Sequence, residues 1–197
     1  MEFKDEFMST NRQKSFIATL ELDDQHVDLL GELHGTPVLR HDTLFSGGFY
    51  TGASTTRDDS HLLGSRSIQE VQKHPPLTIY FRCTDDYYHL YIRSHPTYTG
   101  YCISNGADRV LGAYRPAGSA TTSFNLLNLD NRTVTLQDMG GVEQRVRLQA
   151  RHSQPIGHIR RAGAPYRYLA EIEGQGVVFK LRIIERNASF LSDPDEI

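Results

Sequence analysis

Leu77-Thr78-Ile79-Tyr80-Phe81-Arg82-Cys83-Thr84-Asp85-Asp86-Tyr87-Tyr88-His89-Leu90-Tyr91-Ile92 is the stretch whose reading decides the fold. Two runs rich in β-branched and aromatic residues, 77–83 and 88–92, flank Thr84-Asp85-Asp86. Aspartate tolerates the left-handed backbone or local side-chain bonding of a tight reversal, so the stretch reads as two antiparallel strands. Three further segments have the same form. Residues 16–22 pass through Asp23-Asp24-Gln25 into 27–30, and 124–129 pass through Asp130-Asn131-Arg132 into 134–136. Residues 168–173 pass through Gly174-Gln175-Gly176 into 177–184.

The segments recur. Leu90 and Ile92 map onto Val134 and Leu136 at an offset of 44, and these onto Phe179 and Leu181 at 45. Val27 and Leu29 lie 63 before Leu90 and Ile92, which suits the same period with an insertion of about 18 residues. Alternation such as Phe179, Leu181, Ile183 leaves one face of each strand apolar.

Length and composition bound the rest. A chain of 197 residues, 38% hydrophobic and 23% charged with a net charge of −3, suits one globular domain and gives no reason to expect binding to nucleic acid. No apolar stretch reaches the ~18 residues of a spanning helix, and Met1-Glu2-Phe3-Lys4-Asp5-Glu6-Phe7 has no signal core. The expected location is therefore cytoplasmic, or outside after export by a route without a classical signal peptide. Cys83 and Cys102 sit in apolar runs and read as buried free thiols.

Residues 1–13 are polar, and Glu-Phe occurs twice before Met8, so they read as a disordered or added leader. Residues 14–190 form a single β domain, and 191–197 an acidic tail. Within the insertion, 51–56 reads as loop. Ser67 followed by Glu70 has capping-box spacing, which predicts a short helix ended by Pro75-Pro76.

An all-β fold follows from this rhythm. Three repeats of four strands would make a β-trefoil, a six-stranded barrel capped by three hairpins, with the loop and short helix inserted in the first repeat. Residues 100–105 with 110–114, and 145–150 with 156–160, are the expected cap strands. A fourth hairpin exceeds what three repeats need unless the first and last strands close the barrel together. Over about residues 16–186 the strand rhythm resembles that of the β-trefoil lectin and fascin-like superfamily. That resemblance implies a binding scaffold. The chain contains no tryptophan, so the Gln-x-Trp signature of ricin-type lectin repeats is absent. A β-sandwich or jelly roll is the alternative architecture.

Catalytic motifs are missing: there is no Gly-x-Ser-x-Gly, Gly-x-x-x-x-Gly-Lys, His-Glu-x-x-His or Cys-x-x-Cys. His34, His41 and Asp42, with Glu32, form the nearest approach to a metal set, the basis of a less favoured metal-dependent enzyme. No cofactor or metal is expected.

Seven of the ten tyrosines fall within residues 80–114. A tyrosine offers an apolar face and a hydroxyl at small entropic cost, and among Asp and His it suits a polyhydroxylated ligand. The leading expectation is a non-catalytic, lectin-like module that binds a glycan or glycosylated surface through loops of the second repeat. Asp86 would accept hydroxyl bonds, and Tyr87, Tyr98 and Tyr101 would stack, with His95 beside them. Residues 132–167 carry seven arginines against Asp138 and Glu143. Guanidinium forks match anions, so Arg145, Arg147, Arg151, Arg160 and Arg161 mark an alternative, a face for a protein partner as in an inhibitor or toxin-associated targeting domain.

Overall fold

A computed structural model describes residues 10–42, 45–46, 49–50, 55–71, 74–106, 108–162 and 164–189. The architecture is all-β, and twelve strands carry it: β1 Phe16–Glu21, β2 Gln25–Leu29, β3 Leu63–Ser67, β4 Leu77–Thr84, β5 Tyr87–Ile92, β6 Cys102–Asn105, β7 Leu111–Tyr114, β8 Phe124–Leu127, β9 Glu143–Ala150, β10 Ile156–Ile159, β11 Arg167–Glu171 and β12 Phe179–Arg186. Six of them close into an antiparallel barrel in the order β1-β4-β5-β8-β9-β12, with β12 returning to β1. Closure removes the unpaired edges of an open sheet.

Period-two alternation fills the interior. On β4 the residues Leu77, Ile79, Phe81 and Cys83 belong to the central core, and on β5 Tyr88, Leu90 and Ile92 join them. Phe16 stacks on Phe81 with ring centroids 4.5 Å apart, and Tyr88 meets Phe16 edge-on at 5.6 Å. The Tyr88 hydroxyl accepts the Leu136 N–H at 3.0 Å and donates to the Lys14 carbonyl at 3.2 Å. A buried phenol thus finds both partners it requires.

The remaining strands form three hairpins, β2–β3, β6–β7 and β10–β11. They also touch one another. β3 pairs with β11, Leu62 bridges to Gly112, and Val110 bridges to Ala170. Leu30, Leu33, Val38, Leu62, Val110, Tyr168 and Ala170 form a second apolar cluster there. Gly64 is required by this approach, since a Cβ would lie 2.5 Å from the Arg167 carbonyl oxygen and 2.4 Å from Leu30.

Two short helices complete the described chain. α1 (Asn11–Lys14) opens on a capping box from Thr10 and Gln13, and α2 (Leu30–His34) ends on Gly35 at φ 64°. Short ribbons between β2 and β3 pair Leu39–Asp42 with Thr55–Asp58 and Phe45–Ser46 with Phe49–Tyr50. Among the described residues no helix is long and apolar enough to cross a membrane.

Several local expectations changed. The helix expected after Ser67 is a single turn, in which the Ser67 hydroxyl accepts Gln69 N–H rather than that of Glu70. Residues 145–150 lie in barrel strand β9, so β10 takes β11 as its hairpin partner. Strands β11 and β12 do not pair, because the link between them runs alongside the start of β10: Val177 N–H donates to the Ile156 carbonyl at 2.9 Å. The 44- and 45-residue offsets join unlike positions. Leu90 is on β5, Val134 is on a two-residue strand beside β8, and Phe179 is on β12. Of the expected loop over 51–56, residues 51–54 lie outside the described residues and Thr55 and Thr56 belong to a strand; Asp42's side chain, residues 1–9 of the expected leader and the tail 191–197 also lie outside them.

Candidate ligand-binding cleft

Strand alternation that sends Tyr88, Leu90 and Ile92 inward sends Tyr87, His89 and Tyr91 to the outer face of β5. The β4–β5 ladder sets Arg82 opposite His89 and Tyr80 opposite Tyr91. Arg82, Tyr87, His89 and Tyr91 floor a cleft of about 430 Å³.

Two loops wall it. Residues 116–123, with a 3-10 turn at Gly118–Ala120, bring Pro116, Ser119, Thr121 and Ser123 to one side. Gly118 sits at φ 55°, and the Thr121 hydroxyl oxygen accepts Ala117 N–H at 2.9 Å, which fixes the loop's path. The turn after β9 supplies Arg151. Its backbone N–H donates to the Ser123 carbonyl at 2.8 Å, so the two loops are tied together. The Arg151 guanidinium lies 3.9 Å from the Tyr87 ring centroid, and the ring itself meets His89 edge-on at 5.8 Å. A guanidinium laid on a ring keeps its N–H edge free to donate.

Charge in the cleft is one-sided: none of its lining residues is acidic. Burial, then the positive charges of Arg82 and Arg151, hold the His89 imidazolium form down, so that the ring is more readily neutral than an ordinary histidine. A second cleft, of about 380 Å³, differs. Its Arg40, Arg57 and Arg161 face Asp58, Asp59 and Asp108. Asp59 accepts the Tyr168 hydroxyl at 2.8 Å and pairs with Arg40 at 3.3 Å and Arg161 at 3.5 Å. Those charges satisfy one another and brace the hairpins.

The predicted site residues divide between two places. Tyr87 and Arg151 belong to the cleft, while Asp86 is exposed on the adjoining turn, where its carbonyl accepts from Asn125. His95, Tyr98 and Tyr101 gather elsewhere, with ring centroids at 6.3 and 5.5 Å in succession. Tyr98 and Tyr101 lean on the central core, and Arg115 donates to the Tyr101 hydroxyl at 3.3 Å.

His95 joins a buried knot that the linear sequence hides. Asp28, 1% exposed, accepts Leu29 N–H at 2.7 Å and His74 Nε2 at 2.8 Å, with His95 Nε2 at 3.4 Å on the same oxygen. Glu32 lies 3.6 Å from the other His95 ring nitrogen. Burial raises the Asp28 pKa, but the bonds from His74, His95 and Leu29 more than offset it, and the net shift is downward. His95 is raised, chiefly by its bond to Asp28.

The arginine strip does not converge. Arg145 pairs with Asp23 at 3.0 Å, Arg147 is buried and donates to the Leu129 carbonyl at 3.1 Å, Arg160 is exposed, and Arg161 joins Asp59 and Asp108. His34 packs on Tyr166, and His41 bonds Thr56. Among the described residues no group of three or more His, Cys, Asp or Glu side chains is arranged to hold a metal ion.

Arg82, His89, Tyr91, Thr121 and Ser123 were not singled out from the sequence. The parity of β5 carried the signal for His89 and Tyr91, since both alternate with Leu90 and Ile92; nothing local announced the loops. Set against known protein families, curated protein sequences and solved structures, the chain matches none.

Proposed function

We propose that this protein is a non-catalytic binding module of β-trefoil type that recognises a glycan in the cleft on the outer face of β4 and β5. The strand order supports the trefoil reading. Each third runs barrel, hairpin, hairpin, barrel: β1 to β4, β5 to β8, and β9 to β12, with inter-hairpin bridges where three hairpins would meet.

One observation carries the ligand assignment. The cleft concentrates guanidinium, hydroxyl and phenol donors beside an aromatic floor, in a volume at the lower end of those that hold small organic ligands. An oxygen-rich ligand matches that inventory. Because Arg151 already covers one face of Tyr87, binding rests on hydrogen bonds to oxygen more than on stacking at that face. The arginine-face alternative for a protein partner draws less support, since Arg145, Arg147 and Arg161 are engaged separately within the fold.

A glycan-array screen of the full chain tests the proposal. Capture of a defined set of saccharides is expected, lost in Arg151→Ala at an unchanged melting temperature. An array without positives, at a concentration where the folded protein is verified, would remove the glycan assignment.

A further inference from the structure

We infer that the cleft is built for a tetrahedral oxyanion, a sulfate or phosphate monoester carried by the bound glycan and seated between Arg82 and Arg151 with the Thr121 and Ser123 hydroxyls beside it. This rests on the glycan reading for its carrier but has its own support.

The first support is charge. Arg82, from β4, and Arg151, from the turn after β9, both line the cleft, and no carboxylate shares the lining with them. The second is geometry. Arg151 is held from two directions, by the Tyr87 ring under its guanidinium and by its own backbone bond to Ser123. A planar fork fixed in this way is ready for bidentate contact with an oxyanion. The third is His89, which lies across the ladder from Arg82. The groups facing it are Arg82 from β4, Arg151 from the turn after β9, and Tyr87 and Tyr91 from its own strand, while the 116–123 loop contributes no ionisable side chain. Burial and the two guanidiniums disfavour a third positive charge there. An arriving oxyanion offsets that positive field, so binding is coupled to proton uptake at His89.

The test uses the full chain at low ionic strength, with calorimetry and the His89 ring resonances followed in parallel. Probes are inorganic sulfate, inorganic phosphate, and one monosaccharide in unsubstituted, sulfated and phosphorylated forms. The substituted sugars are expected to bind about tenfold or more tighter than the unsubstituted one, as a charge-assisted bond implies, and the sulfated and phosphorylated arms identify the preferred anion. The His89 titration should move to higher pH when they bind, and the gain should disappear in Arg151→Ala and shrink with added salt. Since Arg82 lies within a barrel strand, Arg82→Gln serves as the second variant, accepted only with unchanged backbone spectra and melting temperature. If substituted and unsubstituted sugars bind equally and His89 does not move, the anion site is refuted while the glycan reading stands. If the inorganic ions shift His89 through Arg151 but no sugar improves on them, the anion site holds and the glycan reading fails. Absence of any binding refutes both.

Discussion

Replacing Asp28 with asparagine perturbs a buried carboxylate that serves three partners. Its carboxylate serves the Leu29 N–H at 2.7 Å and His74 at 2.8 Å, with His95 further off at 3.4 Å, at 1% exposure. Asparagine keeps an oxygen for Leu29 and turns an NH2 group toward both imidazoles, so one strong charge-assisted bond and one weak one are lost. At ~1.5–3 kcal/mol for a hydrogen bond to a charged group, the strong bond alone implies about 2 kcal/mol of destabilisation. For a chain of this size that lowers the melting temperature by about 4–8 °C. The loss should depend on pH. His95, raised in the fold, contributes stability that is fully present below its unfolded value of ~6.5 and fades as pH rises through the folded value. Asp28, lowered in the fold, contributes above its unfolded value of ~3.9 and fades as pH falls through the folded one. The gap between wild type and Asp28→Asn is therefore widest at about pH 4–6.5 and narrows above it. Urea denaturation at a series of pH values measures it. A gap under ~0.5 kcal/mol, or one that is flat from acid to alkaline pH, would refute the reasoning, because surface-like substitutions cost no more than that.

Tyr88→Phe should cost about 1–3 kcal/mol in the same denaturation assay, because it orphans the Leu136 N–H inside the barrel floor without changing ring packing. Tyr98→Ala with Tyr101→Ala should lower the melting temperature, since both rings lean on the central core; an unchanged melting temperature would return them to the list of ligand contacts. Cys83 is buried and its thiol is pushed up to about 11, chiefly by burial, and Cys102 is also buried, so alkylation of the folded protein at neutral pH should be slow and should accelerate on unfolding. Gly64→Ala should destabilise by about 1–3 kcal/mol or more, as its Cβ meets a backbone oxygen that cannot move aside.

Where the sequence was legible, neighbours in the chain were also neighbours in space. The β4–β5 hairpin was visible in full because Asp85, at φ 55°, makes a reversal that pairs residues already adjacent in the chain. The same reasoning failed at 168–184. Glycine reversals there looked alike in sequence, but Gly176 is pressed against the Ile156 carbonyl, and the chain runs alongside β10 instead of folding back on β11. Tyrosine enrichment pointed to the right strand for the cleft, yet it could not separate Tyr88, wholly buried, from Tyr87 one position earlier.

By itself the sequence determined most of the barrel strands, their alternating faces and several turns between near neighbours, though not β3, because side-chain parity and backbone preference act over a few residues. Tertiary structure alone decided the closure of β1 on β12, the meeting of Asp28 with His74 and His95, and the alignment of Arg151 over Tyr87 beside Arg82. Each joins segments tens of residues or more apart, and their distance is set by how the whole barrel buries its apolar faces, a sum over many weak contacts that no short window of sequence contains.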